Sequence, residues 1–348
     1  MFIKLQEVRS RVPRCIFFSH LPKLPLLASV KIGVMPDFFV RRMRIMMRLY
    51  KITVTSLAVM ALSGWANVTE ASTPVLMAEQ PQSYVERERC LSADAPLSAE
   101  ADMLIVAHRG ASRRAPGNTL PAFELAWKQG ADAIEGDFQL TKDGHVVCIR
   151  DKTTQRTAGT DLNVAQSSLS ELRKLDVGAW FDPAFKGTRI PTLAEVLATV
   201  PVDGKIFIEI KSGAEIIPAL LSEIKRSGLE DDQIMIIFFK QEVLRELKAV
   251  APQYQTSWLV SFKKKKSGGI TPDYVSVLDT LDRIKADGLS SGRHWVDAAL
   301  IQRVRENGLQ HHVWTINDIQ QAKQFKEWGT SSVTTDVPDA MKGVDCPI

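Results

Sequence analysis

From residue 103 onward, short apolar runs alternate with stretches of helical periodicity. The runs at 103–107, 133–140, 205–210, 233–238, 256–260, 286–289, 310–316 and 332–335 read as strands, bounded by turn residues. Between them, 119–129, 168–175, 192–197, 215–227, 241–250, 274–284, 297–307 and 319–328 carry the helical spacing. Gly130, Gly308 and Gly329 close three of these helices, and Ser168 with Glu171 forms a capping-box pattern at the start of another. Thr141-Lys142-Asp143-Gly144 is a hairpin turn signal, with 145–149 returning along the second strand. Strands alternating with helices imply parallel pairing under a helical layer. Eight strands over about 240 residues predict an α/β fold: a single (β/α)8 TIM-type barrel with a β-hairpin insertion after strand two. An open doubly wound sheet is the alternative. It wants a glycine-rich phosphate loop after the first strand, and Arg109-Gly110-Ala111-Ser112-Arg113-Arg114 is a poor one.

Composition changes this picture mainly at the N-terminus. The chain of 348 residues is 45% hydrophobic and 24% charged, ordinary for a sizeable globular core. Its net charge of +4 is unevenly spread. Residues 1–66 hold 11 Lys/Arg against Glu7 and Asp37, a net of +9, which leaves −5 for 67–348. A mildly acidic folded part argues against a nucleic-acid partner. Arg41, Arg42, Arg44, Arg48 and Lys51 precede an apolar stretch at 52–66, shorter than the roughly 20 residues of a membrane span. Residues 43–66 therefore read as a signal peptide, with Gly64-Trp65-Ala66 or Thr69-Glu70-Ala71 as cleavage site and an uncleaved anchor as the alternative. This places the mature protein in the periplasm or outside the cell, without a stable membrane span. Residues 1–42 read as an extension upstream of a true start at Met43, Met46 or Met47, 67–101 as a polar lead-in, and 102–348 as the barrel domain. Of the four cysteines, Cys148 reads as a small buried hydrophobe, and Cys15 lies in the upstream extension. Cys90 and Cys346 flank the domain, where an oxidising compartment would let them pair.

The chemistry-bearing residues sit where the strands end. His108-Arg109 follows strand one, Glu135 and Asp137 stand at i and i+2 on strand two, and Glu209 and Lys211 repeat that spacing on strand three. Trp314 lies near the end of strand seven, and Asp336 ends strand eight. Side chains at i and i+2 share a face, so Glu135 and Asp137 point the same way. Two carboxylates on one face repel unless a cation separates them, which points to a hard divalent metal; salt bridges to Arg109 and Lys211 are the alternative.

The stretch His108-Arg109-Gly110, Pro116-Gly117-Asn118-Thr119, Glu135-Gly136-Asp137, Arg150-Asp151 and Glu209-Ile210-Lys211 resembles the glycerophosphodiester phosphodiesterases, from about residue 104 to 341. The family pattern reads His-Arg-Gly, Pro-Glu-Asn-Thr, Glu-x-Asp, His-Asp and Glu-Ile-Lys. By that resemblance Glu135, Asp137 and Glu209 are ligands of one divalent cation, Ca²⁺ or Mg²⁺ rather than Zn²⁺. Arg109 and Lys211 would clamp the phosphate, Trp314 would wall the glycerol, and His108 would serve as acid–base catalyst. Two positions depart from the pattern. Gly117 stands in place of a Glu, which removes a charge and should loosen its loop. Arg150 stands in place of the second catalytic His; it cannot shuttle a proton near neutral pH but can stabilise charge. Neither His145 nor His312 is spaced to replace that histidine.

The expected function is therefore an exported, metal-dependent hydrolysis of glycerophosphodiesters to an alcohol and glycerol 3-phosphate, with a small-molecule substrate. The alternatives are a weakly active or non-catalytic phosphodiester-binding protein of the same fold, and a related enzyme that cyclises its product. Lys263–Lys266 reads as a solvated loop at the mouth, with attraction of anionic substrate or lipid head groups as the alternative, and His294-Trp295 as ordinary loop packing rather than a lining of the same mouth.

Overall fold

The computed structural model describes residues 102–344. The predicted signal peptide, the segments around it, Cys15, Cys90 and Cys346 lie outside the described residues. Strands β1 (Leu104–His108), β2 (Ala133–Leu140), β3 (Val146–Cys148), β4 (Lys205–Ile210), β5 (Ile234–Phe238) and β6 (Gln255–Val260) are followed by the two-residue strands β7 (Lys263–Lys264) and β8 (Ile270–Thr271). Strands β9 (Gly288–Gly292), β10 (Gln310–Trp314) and β11 (Ser332–Thr335) complete the set. Eight of these pair in parallel in the order β1-β11-β10-β9-β6-β5-β4-β2, and β1 pairs back onto β2 to close the barrel. Strand β3 lies antiparallel on β2 beyond the Thr141–Gly144 turn, with Phe138 opposite Cys148.

Helices α1 (Leu120–Lys128), α2 (Gln155–Ala158), α3 (Leu169–Leu172), α4 (Leu193–Leu197), α5 (Ile217–Ser227), α6 (Gln241–Val250), α7 (Tyr274–Ile284), α8 (Ala298–Glu306) and α9 (Ile319–Glu327) alternate with the strands. Their ends follow local chemistry. Asp273, Asp297 and Asp318 cap α7, α8 and α9 through side-chain oxygens, and Ser168–Glu171 and Thr192–Glu195 form full capping boxes. On α5, Ile217, Leu220 and Ile224 recur at helical spacing and are buried.

Strand parity divides the core into two layers. Ile206, Ile208 and Ile210 on β4, and Ile234, Ile236 and Phe238 on β5, pack outward against the helices. The intervening Phe207, Met235 and Ile237 join Val106, Ala133 and Leu259 inside the barrel.

The sixth strand differs from the expectation of 286–289. It runs Gly288–Gly292, because Ser290 and Ser291 find partners inside the sheet: Ser257 Oγ at 2.8 Å and His311 Nε2 at 2.9 Å. The helix expected at 168–175 is one turn, Leu169–Leu172. Lys263–Lys266 is exposed as expected, but Lys263–Lys264 pairs with Ile270–Thr271 in a small hairpin. Trp295 does not pack into its loop: it is 47% exposed.

Candidate active site

The eight parallel strands bring their C-terminal ends to one mouth, where side chains from different strands meet. On β2, Ile134 and Phe138 face the helices, so Glu135 and Asp137 face the barrel axis with Ala133. The same parity turns Glu209 inward on β4. Register does the rest: His108 lies opposite Glu135, and Asp137 opposite Glu209.

The turn that follows β1 is built for close approach. Gly110 has φ +80°, and a Cβ there would lie 2.4 Å from the Ala122 backbone carbon, so only glycine lets the turn pack on α1. Arg109 takes the left-handed region at φ 56°, which aims its backbone N–H at Glu135 Oε2 (3.0 Å) and sets its side chain beside Asp137, Nε to Oδ2 2.9 Å. Asn118, also left-handed at φ 63°, donates its amide to Asp137 Oδ2 (2.8 Å) and accepts the Asp137 N–H (3.1 Å). Lys211 completes the ring, 2.9 Å from Asp137 Oδ1 and in direct contact with Glu209 Oε1.

These contacts set the carboxyl groups apart. Burial, reinforced by repulsion from Asp137 and Glu209, holds Glu135 well above the usual carboxyl range. Burial and then Asp137 push Glu209 up to about 7, against the pull of Lys211. Burial would raise Asp137 as well, but Lys211, Arg109 and the Asn118 amide outweigh it and keep Asp137 below its ordinary value.

Ion pairing sets a cation beside Asp137 and Glu209 but leaves the cluster incomplete, since Asp137 Oδ1, like Glu135 Oε1, is buried without a hydrogen bond. Glu135 Oε1 is buried and accepts no hydrogen bond. One oxygen each from Glu135, Asp137 and Glu209 lies within 4.8 Å of the others. An all-oxygen set with unpartnered buried oxygens, in which Glu135 and Glu209 are both pushed up by burial and by Asp137, fits a hard divalent cation, which would supply the missing positive charge. Cys148 is buried, and its thiol donates to Asn118 Oδ1 at 3.4 Å.

His108 faces this cluster across the mouth. Its Nδ1 lies 2.7 Å from Asp336 Oδ1, so Nδ1–H donates to the carboxylate and Nε2 is the nitrogen available to a ligand. Asp336 is itself fixed: Ser112 Oγ donates to Oδ1 (3.0 Å), Asn317 Nδ2 to Oδ2 (2.7 Å), and its N–H reaches Asn317 Oδ1. Burial opposes ionisation of Asp336, yet the bonds from His108 and Asn317 hold its carboxyl well below the ordinary range.

A cavity of about 280 Å³ opens over these groups. His108, Arg109, Glu135, Arg150, Glu209 and Lys211 line one side, and Phe207, Phe239, Leu259 and Trp314 the other. The structure thus gathers every residue expected from the sequence, with Asp137 sealed in by its three partners. His145 stays at the hairpin turn beside Asp143, and His312 is buried under Phe207 on Ser332. Asn118 and the Asp336–His108 pair were the functional contacts missed. Asn118 was visible as part of the Asn118-Thr119 motif, but the pair joins residues 228 apart, and no local signal marks it.

The sequence pattern of the glycerophosphoryl diester phosphodiesterase family matches residues 108–340. This chain belongs to that family of phosphoric diester hydrolases. A glycerophosphodiester phosphodiesterase of Caldanaerobacter subterraneus subsp. tengcongensis is 34% identical over 243 residues, 68% of this chain and 96% of the relative. One from Bacillus subtilis is 30% identical over 258 residues, covering 68% and 84%. Among solved structures, an Oleispira antarctica phosphodiesterase in complex with the product sn-glycerol-3-phosphate superposes with a TM-score of 0.62 at 26% identity, covering 69% of this chain and 96% of that one.

Within the family, this chain's two departures take definite places. Arg150 lines the cavity with His108; its side chain is 49% exposed, and Asp151 lies 3.7 Å away. Gly117 does not loosen its loop. Its neighbours Ala115, Pro116 and Asn118 are buried, and Asn118 N–H donates to the Arg109 carbonyl (3.0 Å). A Cβ at Gly117 would stand 3.2 Å from Arg109 Cβ and 3.3 Å from Ser112 Cβ, so the missing side chain makes room for tight packing against Arg109.

Proposed function

We propose that this protein hydrolyses glycerophosphodiesters to an alcohol and glycerol 3-phosphate, with one divalent cation, Ca²⁺ or Mg²⁺, held by Glu135, Asp137 and Glu209. The observation that carries the reading is one cavity that joins the oxygen cluster, with its unpartnered Glu135 Oε1, to an imidazole fixed by a carboxylate. The cation would draw charge from the non-bridging phosphate oxygens. Arg109 meets Asp137 through Nε, which leaves its terminal nitrogens for a phosphate oxygen; Lys211 adds a point charge on the same side. His108 Nε2 takes a proton from the attacking water as the new P–O bond forms, and Asp336 stabilises the resulting imidazolium. As the bond to the leaving alcohol breaks, Arg150 in the same cavity stabilises charge building on the phosphate, and the alkoxide collects its proton from solvent because a guanidinium does not release one. Trp314 and Phe239 form the apolar wall for the glycerol carbons.

The basic stretch ahead of the apolar segment 52–66 supports export to the periplasm or beyond. N-terminal sequencing of the native product would show a start after residue 66; a product retaining Phe17-Phe18 would contradict export by this signal. Among the described residues no helix is long and apolar enough to cross a membrane.

The test of activity is release of glycerol 3-phosphate from sn-glycero-3-phosphoglycerol by the full-length protein, with added Ca²⁺ or Mg²⁺ and with chelator, beside Arg150→His. Metal-dependent release that quickens in Arg150→His is expected. No release from the unaltered protein under any of these conditions would defeat the reading.

A further inference from the structure

A second cavity of about 320 Å³ opens next to the catalytic one, and the two share Trp314 and Thr315 as a common wall. Its other walls are Ser261 and Phe262 after β6, Gly292 at the end of β9, and Arg293 and His294 after it. Either cavity alone is at or below the small end of ligand pockets, roughly 300–1,000 Å³. Side by side around one wall, they suit the two halves of a diester with its phosphate between them.

The second cavity has a marked charge. Arg293 is fixed to the shared wall: its N–H donates to the Trp314 carbonyl (2.9 Å) and its Nη1 to the Thr315 carbonyl (3.0 Å). Its remaining contact is His294 Nε2 at 3.4 Å, so neither side-chain partner carries a negative charge. The hairpin β7–β8 leaves directly from the cavity residues Ser261-Phe262 and carries Lys263, Lys264, Lys265 and Lys266, all exposed, with Lys264 reaching Trp295 beside His294. The acids of these loops, Asp273 capping Ser276 N–H and Asp297 capping Leu300 N–H, are outnumbered by Arg293 and the four lysines. Exposed Trp295 would otherwise be a surface for an ammonium head group, but the Lys264 ammonium already lies over its ring at 5.6 Å.

We infer that this cavity receives the leaving-alcohol half of the diester and selects alcohols that carry a phosphate or carboxylate. A cationic rim attracts such a group and repels choline or ethanolamine. The inference rests on the proposed hydrolysis, and its test separates the two. Three substrates share the glycerophosphate half: glycerophosphocholine with a cationic alcohol, glycerophosphoglycerol with a neutral one, and glycerophosphoglycerophosphoglycerol with an anionic one. For each, kcat/KM is measured with the metal-loaded full chain, and Kd by titration calorimetry. The anionic diester should exceed the neutral one by about tenfold or more in both quantities, with the cationic diester lowest. Arg293→Gln should reduce the anionic-to-neutral ratio several-fold. Lys265→Glu/Lys266→Glu, which alters exposed hairpin positions without touching the Thr315 bond, should do the same. A ratio at or below one in the unaltered protein, or a ratio indifferent to both variants, overturns the inference. If no diester is hydrolysed, the hydrolytic reading falls, and the Kd ratio decides the subsite by the same criteria.

Discussion

On the β1–β2–β4 side of the mouth each functional group is a charge held by another group: Asp137 by Arg109, Lys211 and Asn118, and His108 by Asp336. On the β5–β6–β10 side the surfaces are Phe239, Leu259 and Trp314, packed by shape, with Phe239 edge-on to Trp314 at 5.9 Å between centroids. The first side can bind a phosphate and move a proton. The second can only hold, exclude water and discriminate. Changes on the first side should therefore appear in kcat, and changes on the second in KM and substrate choice.

The largest expected effect is on the first side. His108→Ala should lower kcat by about 10²–10⁴ with KM little changed, since general acid–base help is worth that much. Steady-state kinetics on glycerophosphoglycerol check it. An equal loss shared between kcat and KM would mean that His108 binds substrate rather than moving its proton.

The contrast continues below the mouth, where a pH response should reveal it. The half-barrel of β2, β4 and β5 is filled with Ala133, Phe207, Met235 and Ile237, whereas β9, β10 and β11 bury His311 and His312 on hydroxyl partners. Burial, with His312 adding to it, holds His311 down at about 3; burial alone holds His312 at about 4. An unfolded imidazole binds its proton near 6.5, so below that pH the unfolded chain takes up protons the native barrel refuses. The stability from neutral burial is complete above about pH 6.5 and is lost as pH falls towards 4 and then 3, with each unit worth about 1.4 kcal/mol per group. Thermal melts between pH 7.5 and 4.5 should show a falling Tm, and His311→Gln should flatten the fall. An unchanged slope in that variant would remove His311 from the account.

Next in size is Asp336→Asn. The amide keeps the shape but not the charge that fixes the His108 proton on Nδ1, so kcat should fall by about 10–100-fold. The kcat–pH profile should shift as well, which mere loss of packing would not cause.

The two sides also differ in how far a sequence reveals them. Strand parity and the i, i+2 spacing of Glu135 with Asp137 and Glu209 with Lys211 are local, and a closed parallel barrel turns them into a shared mouth without further information. Even the departures at Gly117 and Arg150 were legible by position. The structure then changed the meaning of Gly117 from a loosened loop to a close contact with Arg109. The Asp336–His108 pair depends on barrel closure between the first and last strands, and Arg293 on a loop conformation, so neither leaves a periodic trace. The Gly288–Gly292 strand was misplaced for a related reason: Ser290 and Ser291 look like loop until Ser257 and His311 are beside them.

The smallest effect tests whether the apolar side only holds. Trp314 Nε1 is buried with no partner in the protein, and an indole N–H can only donate. An unmade bond at a buried donor is a standing cost that a ligand oxygen would remove. Trp314→Phe keeps an aromatic wall against Phe239 and deletes the donor. If the N–H reaches a glycerol or phosphate oxygen in the bound state, the substitution forfeits one net hydrogen bond of about 0.5–1.5 kcal/mol, or about two- to tenfold. Because the contact exists in ground state and transition state alike, the loss should fall on KM with kcat unchanged. A drop in kcat instead would place the indole with the catalytic groups and erase the division between the two sides at this residue.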